Sequence, residues 1–594
     1  MSSLSSKFSN LNPFNHAKTD HEDLGEPMQP DSMAGGGHSA LPTKITKEQL
    51  RVSRAMKKFL VDHKVLSEHD AALNDESSTA ALKELLDRPH VDVPKAVLER
   101  EHPLTEYFIS SSHNTYLLAH QLYGTSSAEA YETALKTGSR CVEIDAWDNE
   151  EDKDEPKVTH GYTLASHIPF RQVCETIRDV IDEEAAQPNL QSGYKAAPVL
   201  LSLENHCDAH GQARLVSIMR EVWGDRLLSE AVRDEGTREQ AETGEQVTLA
   251  ELGCKIGVIV EFHLPNANEG TEDPETSSDE DEDQQVRIDH QRYREQKKKT
   301  PAMGIIPELA ELGVYAQSVK PRDNSWFEAQ LQGGPHDHLI NVSESGLLGL
   351  IPTHSEKISQ HNSRHLMRVF PKGTRINSQN LSPVPFWGVG AQICALNWQT
   401  FDHSMQLNEA LFAGSDGYVL KPAALRAGGS GQASTGQKVT LKLHVAGATD
   451  LPIPEDREAD EIRPYVTCTL VHPDDISGDH PKEKTAVYKQ HKLQLLHKGE
   501  NPPPTDPVWD ETLKWTYEDN ELAFLRILIK SDDRFARNPV FVVAAVRLMY
   551  AAQGWSFIRM LDLKGRETHC TLLLKFEIVD ASSGRFGAGI AGPD

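Results

Sequence analysis

Glu143 and Asp145 stand two residues apart in Cys141-Val-Glu-Ile-Asp145, so on a β-strand they share one face while Val142 and Ile144 share the other. A second apolar run, Pro198-Val-Leu-Leu-Ser-Leu203, ends in Glu204-Asn205-His206, which sets a third carboxylate at a comparable level. A third, Tyr107-Phe-Ile109, runs into Ser110-Ser-Ser-His113-Asn114. Acids, an amide and a histidine at successive strand ends suggest one site at the C-terminal rim of an α/β barrel. Three converging carboxylates without a basic partner repel unless a cation lies among them. Oxygen donors of this kind, with the Asn114 amide, favour calcium or magnesium over zinc. The bland reading is a solvated Glu-x-Asp face and a structural histidine.

The elements that must hold these residues follow from pattern. From Pro103, short β-rich runs alternate with helical stretches (128–136, stopped by Gly138, and 173–181), which predicts a parallel α/β architecture. Ile256-Gly-Val-Ile-Val260 adds a strand. Residues 272–283 carry eight acids in twelve positions and precede a basic patch at 292–299, a pattern expected of a solvated insertion. The α/β pattern resumes over 305–426. After Gly428-Gly-Ser-Gly431, read as a hinge over 427–435, alternating runs such as 439–445 and 572–578 predict a β-sandwich across 436–580. Residues 1–43 are expected to be a disordered tail, and 581–594 form a short tail after the sandwich. Between them, 44–102 reads as helical: a capping box at Thr46/Gln49 opens a stripe through Met56, Phe59 and Leu60, and a second helix covers 79–86. No calcium-loop pattern joins the two, so an EF-hand-like pair here would be metal-free.

A chain of 594 residues is too long for one core. Its formal net charge of −28 argues against nucleic-acid partners and against non-specific attraction to anionic lipid. No apolar run approaches a bilayer span; the best, 540–546, is stopped by Arg547. Seven cysteines without a CxxC pair suit a reducing compartment, and a soluble cytoplasmic monomer is the expectation.

The longer motifs carry a resemblance. Ser110-Ser-Ser-His-Asn-Thr-Tyr-Leu117, Arg140-Cys-Val-Glu-Ile-Asp-Ala-Trp-Asp148, His160-Gly-Tyr-Thr163 and Leu201-Ser-Leu-Glu-Asn-His206 resemble the X half of eukaryotic phosphoinositide-specific phospholipases C. Ser382-Pro-Val-Pro-Phe-Trp387, Gly390-Ala-Gln-Ile-Cys-Ala-Leu-Asn-Trp-Gln-Thr400 and Gly417-Tyr-Val-Leu-Lys-Pro422 resemble the Y half, and the sandwich resembles a C2-type domain. The likeness is to the delta type without its pleckstrin-homology domain, for which the residues ahead of the first helix are too few. It implies a split TIM (β/α)8 barrel, with an X half over 103–263, an acidic linker over 264–304 and a Y half over 305–426. It implies Ca2+ held by Asn114, Glu143, Asp145 and Glu204. His113 would stabilise the charged transition state, and His160 would protonate the departing diacylglycerol oxygen. Glu143 or Asp145 would take the proton of the inositol 2-hydroxyl, whose attack gives a cyclic phosphate that water then opens. The implied setting is a phosphoinositide membrane surface at the inner face, approached peripherally.

Four positions depart from the family pattern. Ile259 and Glu261 stand where two phosphate-gripping lysines are expected, Asn341 replaces a serine, and Phe370 replaces a tyrosine beside the retained Arg368, with Arg368 and Asn341 the expected substrate contacts. A charge-assisted contact contributes about 1.5–3 kcal/mol, so losing two predicts a weakened preference for the bisphosphate lipid. In the sandwich, Asp450, Asp532 and Asp533 suggest a calcium loop, Arg534 and Arg537 suggest direct lipid contact instead, and the third reading is a sandwich that merely braces the barrel. The acidic linker reads either as a solvated tether or as a cover over the mouth. Two other functions stay open at this level: a catalytically silent lipid-binding scaffold, and a different barrel phosphodiesterase.

Overall fold

The computed structural model describes residues 49–74, 78–118, 125–159, 167–187, 196–233, 246–264, 304–328, 331, 333–371, 380–454, 457–491, 500–532 and 540–580. His160, Thr46, Asp533, Arg534, Arg537 and the acid-rich 272–283 lie outside them.

Among the described residues, eight parallel strands form a barrel: β1 (Tyr107–Ile109), β2 (Cys141–Trp147), β3 (Val199–His206), β4 (Ile256–Phe262), β5 (Gln317–Val319), β6 (His338–Ser343), β7 (Leu366–Phe370) and β8 (Ile393–Cys394). Neighbours follow chain order from β2 to β8, and β8 pairs with β1. The ring closes through bridges just past β1, Ser111 to Cys141 and Ser112 to Leu396. The strands read as near-continuous apolar runs because both faces are covered. Val142, Ile144, Leu201, Val258 and Val260 face outward into a core shared with helices α3 (Glu129–Lys136), α4 (Phe170–Ala186) and α5 (Ala209–Trp223). Ile109, Cys141, Leu200, Ile259, Leu339, Leu366 and Ile393 pack inward and plug the barrel. Register then decides what the mouth carries: Glu143 pairs with Ser202 and Ser202 with Ile259, while Asp145 pairs with Glu204.

β9 (Tyr418–Leu420) adds to β1 antiparallel. Beyond it, residues 428–431 form a bonded turn in which Gly429 N–H donates to Arg426 O (2.9 Å) and Gly431 N–H to Ala424 O (2.8 Å). The segment read as a hinge is thus tied to the barrel, and the sandwich begins at Ser434. Its strands are β10 (Ser434–Thr449), β11 (Pro464–Val471), β12 (Lys482–Lys484), β13 (Val508–Asn520), β14 (Phe524–Ser531), β15 (Val540–Arg547), β16 (Gly554–Leu561) and β17 (Glu567–Asp580). They run antiparallel in the order β12-β11-β14-β15-β16-β17-β10-β13, with a single registered pair, Val543 with Leu561, joining the two halves. The run 540–546 that stood out as the most apolar of the chain is a buried sandwich strand.

Barrel and sandwich share one core. Helix α7 (His403–Phe412) is buried from Ser404 to Phe412, Trp387 and Leu411 pack in the same cluster as Phe524 and Val543, and Arg526 Nε donates to Gln406 Oε1 at 2.7 Å. On another face of the sandwich, α1 (Arg54–Asp62) and α2 (Ala80–Asp87) bury Met56, Phe59, Leu60, Leu82 and Leu85 against Ala446, Phe557 and Leu573. The apolar stripe is where the sequence places it. Helix α1 starts at Arg54, later than the Thr46 box suggests, because Ser53 caps it by accepting from Met56 N–H. No helix among the described residues is long and apolar enough to cross a membrane.

Candidate active site

The chain leaves β1 through Asn114 in the left-handed region (φ 46°), a conformation asparagine tolerates better than most residues. That turn aims the Asn114 backbone N–H at Glu143 Oε2 (2.7 Å) and leaves His113 beside it. His113 Nδ1 donates to Asn397 Oδ1 (2.9 Å), so Nε2 faces Glu143 Oε2, 3.9 Å away. The other Glu143 oxygen, Oε1, meets Arg368 Nη2 at 3.0 Å, with both side chains almost fully buried. Burial by itself pushes the Glu143 carboxyl up. The Arg368 guanidinium, then His113 and the Asn114 amide, reverse this and hold it at about 2.

Its two neighbours behave in the opposite way. Asp145 Oδ2 accepts from Tyr116 Oη at 2.7 Å, while Asp145 Oδ1 is buried and has no hydrogen-bond partner. Burial, then the charge of Glu143, raise Asp145 well above the ordinary carboxylate range. Burial, then Asp145 and Glu143, do the same to Glu204, which is hydrogen-bonded to Glu143. Three carboxylates against one guanidinium leave excess negative charge that only protons or a further cation can neutralise. Ligating atoms of Asp145, Glu204 and His206 all lie within 4.8 Å of one another. An orphaned carboxylate oxygen beside clustered oxygen donors suits a hard divalent cation.

The structure therefore brings His113, Asn114, Glu143, Asp145 and Glu204 to one mouth. It adds residues that the pattern did not single out. His206 stands two past Glu204 on the same strand face, a signal legible by period alone, and its ring stacks on Trp147 at 4.2 Å. Tyr116 and Asn397 position Asp145 and His113 through side-chain hydrogen bonds that no spacing rule reveals. Of the expected substrate contacts, Arg368 is held by Glu143 and reaches Asn341 Oδ1 through Nη1 at 3.3 Å. Ile259 is buried in the barrel plug, and Glu261, two residues on and on the same strand face, lies 4.0 Å from His263.

At the loops of the sandwich, Asp450 has a neutralising partner within the chain. Arg51 Nη2 lies 2.6 Å from both Asp450 Oδ1 and Asp506 Oδ1, so a guanidinium sits between the two acids.

The fold and its acidic rim define a split parallel barrel with a cation-ready mouth and an appended sandwich. Residues 100–261 match the X domain of phosphatidylinositol-specific phospholipase C, 309–424 match its Y domain, and 439–556 match a C2 domain. The human 1-phosphatidylinositol 4,5-bisphosphate phosphodiesterase delta-1 is 31% identical over 493 residues, covering 80% of this chain and 60% of the human protein. The Candida albicans 1-phosphatidylinositol 4,5-bisphosphate phosphodiesterase 1 is 28% identical over 580 residues, covering 86% of this chain and half of that one. The chain thus spans between half and two thirds of the length of these relatives. The crystal structure of L. pealei PLC21 superposes with a TM-score of 0.64 at 23% identity, over 91% of this chain and 68% of that one, a likeness of fold. The chain belongs to the phosphoinositide-specific phospholipase C family.

Proposed function

We propose that this protein hydrolyses phosphatidylinositol and its phosphorylated forms to diacylglycerol and inositol phosphates, with Ca2+ at the barrel mouth. The observation that carries the reading is the convergence of Glu143, Asp145 and Glu204, with one carboxylate oxygen of Asp145 unpartnered, at the rim of a barrel of this family. Asn114, Glu143, Asp145 and Glu204 are the residues that would hold the ion. When bound, calcium lowers the pKa of the inositol 2-hydroxyl and offsets the charge of the phosphodiester. Glu143 or Asp145 takes the hydroxyl proton, and the freed oxygen attacks phosphorus in line. His113, fixed by Asn397, presents Nε2 to the developing charge. His160 gives its proton to the diacylglycerol oxygen and then activates the water that opens the cyclic phosphate.

We infer further that the preference for the bisphosphate lipid is weakened relative to the relatives named for that substrate. Two features support this: Ile259 and Glu261 occupy the barrel-facing positions of β4, and Arg368 already serves Glu143. The C2-type sandwich supports a peripheral approach to lipid, and α1 with α2, read as an EF-hand-like pair, brace it. The test is release of inositol phosphate and diacylglycerol from labelled phosphoinositide vesicles by the purified chain, with calcium or with chelator. Release of glycerol phosphate, or turnover indifferent to calcium, overturns the proposal. Unchanged turnover in a folded His160→Ala variant overturns the role given to His160.

A further inference from the structure

At the opposite end of the barrel, three histidines from separate segments meet. His338 opens β6, His361 lies in the last turn of α6 (Glu344–Asn362), and His365 sits just before β7. His338 and His365 stack with centroids 3.9 Å apart, and the Nε2 atoms of His338 and His361 are 3.0 Å apart.

The surroundings fix the tautomers. His338 Nδ1 lies 3.1 Å from the Pro335 carbonyl oxygen, which can only accept, so that nitrogen carries hydrogen. His361 Nδ1 lies 3.0 Å from Asn362 Oδ1, and the Asn362 amide nitrogen is committed to the Val389 carbonyl (2.9 Å), so His361 also carries its hydrogen on Nδ1. In the neutral rings, both Nε2 atoms are then bare lone pairs, facing each other at hydrogen-bond distance. Two acceptors repel at that separation unless an electron-poor centre lies between them. A proton is the weaker candidate. It would leave a largely buried imidazolium beside Lys421, whose Nζ donates to the Asn362 carbonyl at 2.9 Å. The nearby acid, Asp337, is engaged by His336 Nδ1 at 3.1 Å.

We propose that His338 and His361, with His365 as the third ring, form a binding site for a divalent first-row transition-metal ion of the zinc type, separate from the acidic mouth. Imidazole nitrogens suit such ions, whereas calcium takes oxygen. Tetrahedral zinc at about 2.0–2.1 Å per nitrogen sets its ligands roughly 3.3 Å apart, a few tenths beyond the spacing already present. The three rings do not converge on one point as they stand, so His365 would have to turn out of its stack on His338 to supply the third nitrogen. An open cleft lined by His336, Asp337, His338 and His365 among others gives the ion its entry and room for a water as fourth ligand. The ion would tie the end of α6 to the starts of β6 and β7.

The test uses the full chain, stripped of metal, returned to saturating calcium and titrated with Co2+. The expected result is one equivalent bound with the visible d–d bands of tetrahedral cobalt, displaced by Zn2+. Affinity should fall at least about tenfold in His338→Gln and in His361→Gln, and stay unchanged in His206→Ala. Zn2+ should also raise the melting temperature of the wild type. If the glutamine variants fail to fold, hyperfine-shifted, exchangeable Nδ1–H resonances from at least two histidines in the wild-type Co2+ protein decide the matter. Absence of d–d bands, of those resonances, or of any loss in the two folded variants overturns the proposal, as does loss of binding in His206→Ala.

Discussion

Replacing Arg368 with methionine removes the guanidinium that faces the mouth carboxylates but keeps much of the side chain's bulk. Glu143 is then a buried carboxylate without its ion-pair partner, and breaking one side of such a pair costs about 3–5 kcal/mol. The depressed pKa of Glu143 gives a figure of the same size: a fall from 4.5 to about 2 corresponds to about 3 kcal/mol. The sign with pH separates this cause from lost packing. In the wild type, the folded value lies below the unfolded one, so the Glu143 contribution is present above the ordinary carboxylate range and is lost only as pH falls toward 2. In the variant, burial is no longer opposed by Arg368, so Glu143 joins Asp145 and Glu204 above the ordinary range. The folded variant then binds protons that its unfolded chain does not, and its stability rises as pH falls from 7 to 5. Urea unfolding in chelator, followed by tryptophan fluorescence, should show a gap of about 3–5 kcal/mol at pH 7 that narrows at pH 5. A gap under about 1 kcal/mol, or one equal at both pH values, refutes the electrostatic account.

Other perturbations probe single contacts. His113→Ala should retain the circular dichroism and melting of the wild type while lowering vesicle hydrolysis by at least about a hundredfold, the usual weight of a positioned acid–base or charge-stabilising group; near-normal turnover contradicts its role. Tyr116→Phe deletes the hydrogen bond that steadies Asp145, so the calcium needed for half-maximal hydrolysis should rise about tenfold or more with a smaller change at saturation. Ile259→Lys with Glu261→Lys should raise the initial rate on bisphosphate lipid relative to phosphatidylinositol at matched surface density; an unchanged ratio removes β4 as the selector. Arg51→Ala unmasks Asp450 and Asp506, and liposome flotation should then acquire a calcium dependence beyond that of the wild type.

Much of this was legible along the chain. Barrel strands announce themselves as apolar runs because helices cover one face and the plug covers the other, and their polar ends then stand out. Glu143, Asp145 and Glu204 are visible for that reason, and β2 and β3 bring them side by side. What stays hidden depends on partners distant in sequence. Arg51 finds Asp450 across 399 positions, and His113 finds Asn397 across 284. No local pattern encodes these contacts, since each is set by which loops the closed ring and the sandwich bring together. The start of α1 is a subtler case: both Thr46 and Ser53 are residue types that can cap a helix, and Ser53 does so where the apolar stripe meets the sandwich. The three histidines at the barrel base fall on a strand start, a helix end and a turn, and so share no periodicity.

The buried helix α7 and the cluster that contains Trp387 and Phe524 join barrel and sandwich through one continuous core. A barrel expressed without its sandwich would present a wide greasy wound and would be expected to clump before it could be assayed. Conversely, if the sandwich docks on a bilayer as proposed, its tilt would be passed on to the mouth through this shared core, and the loops of one half would set the angle of the other.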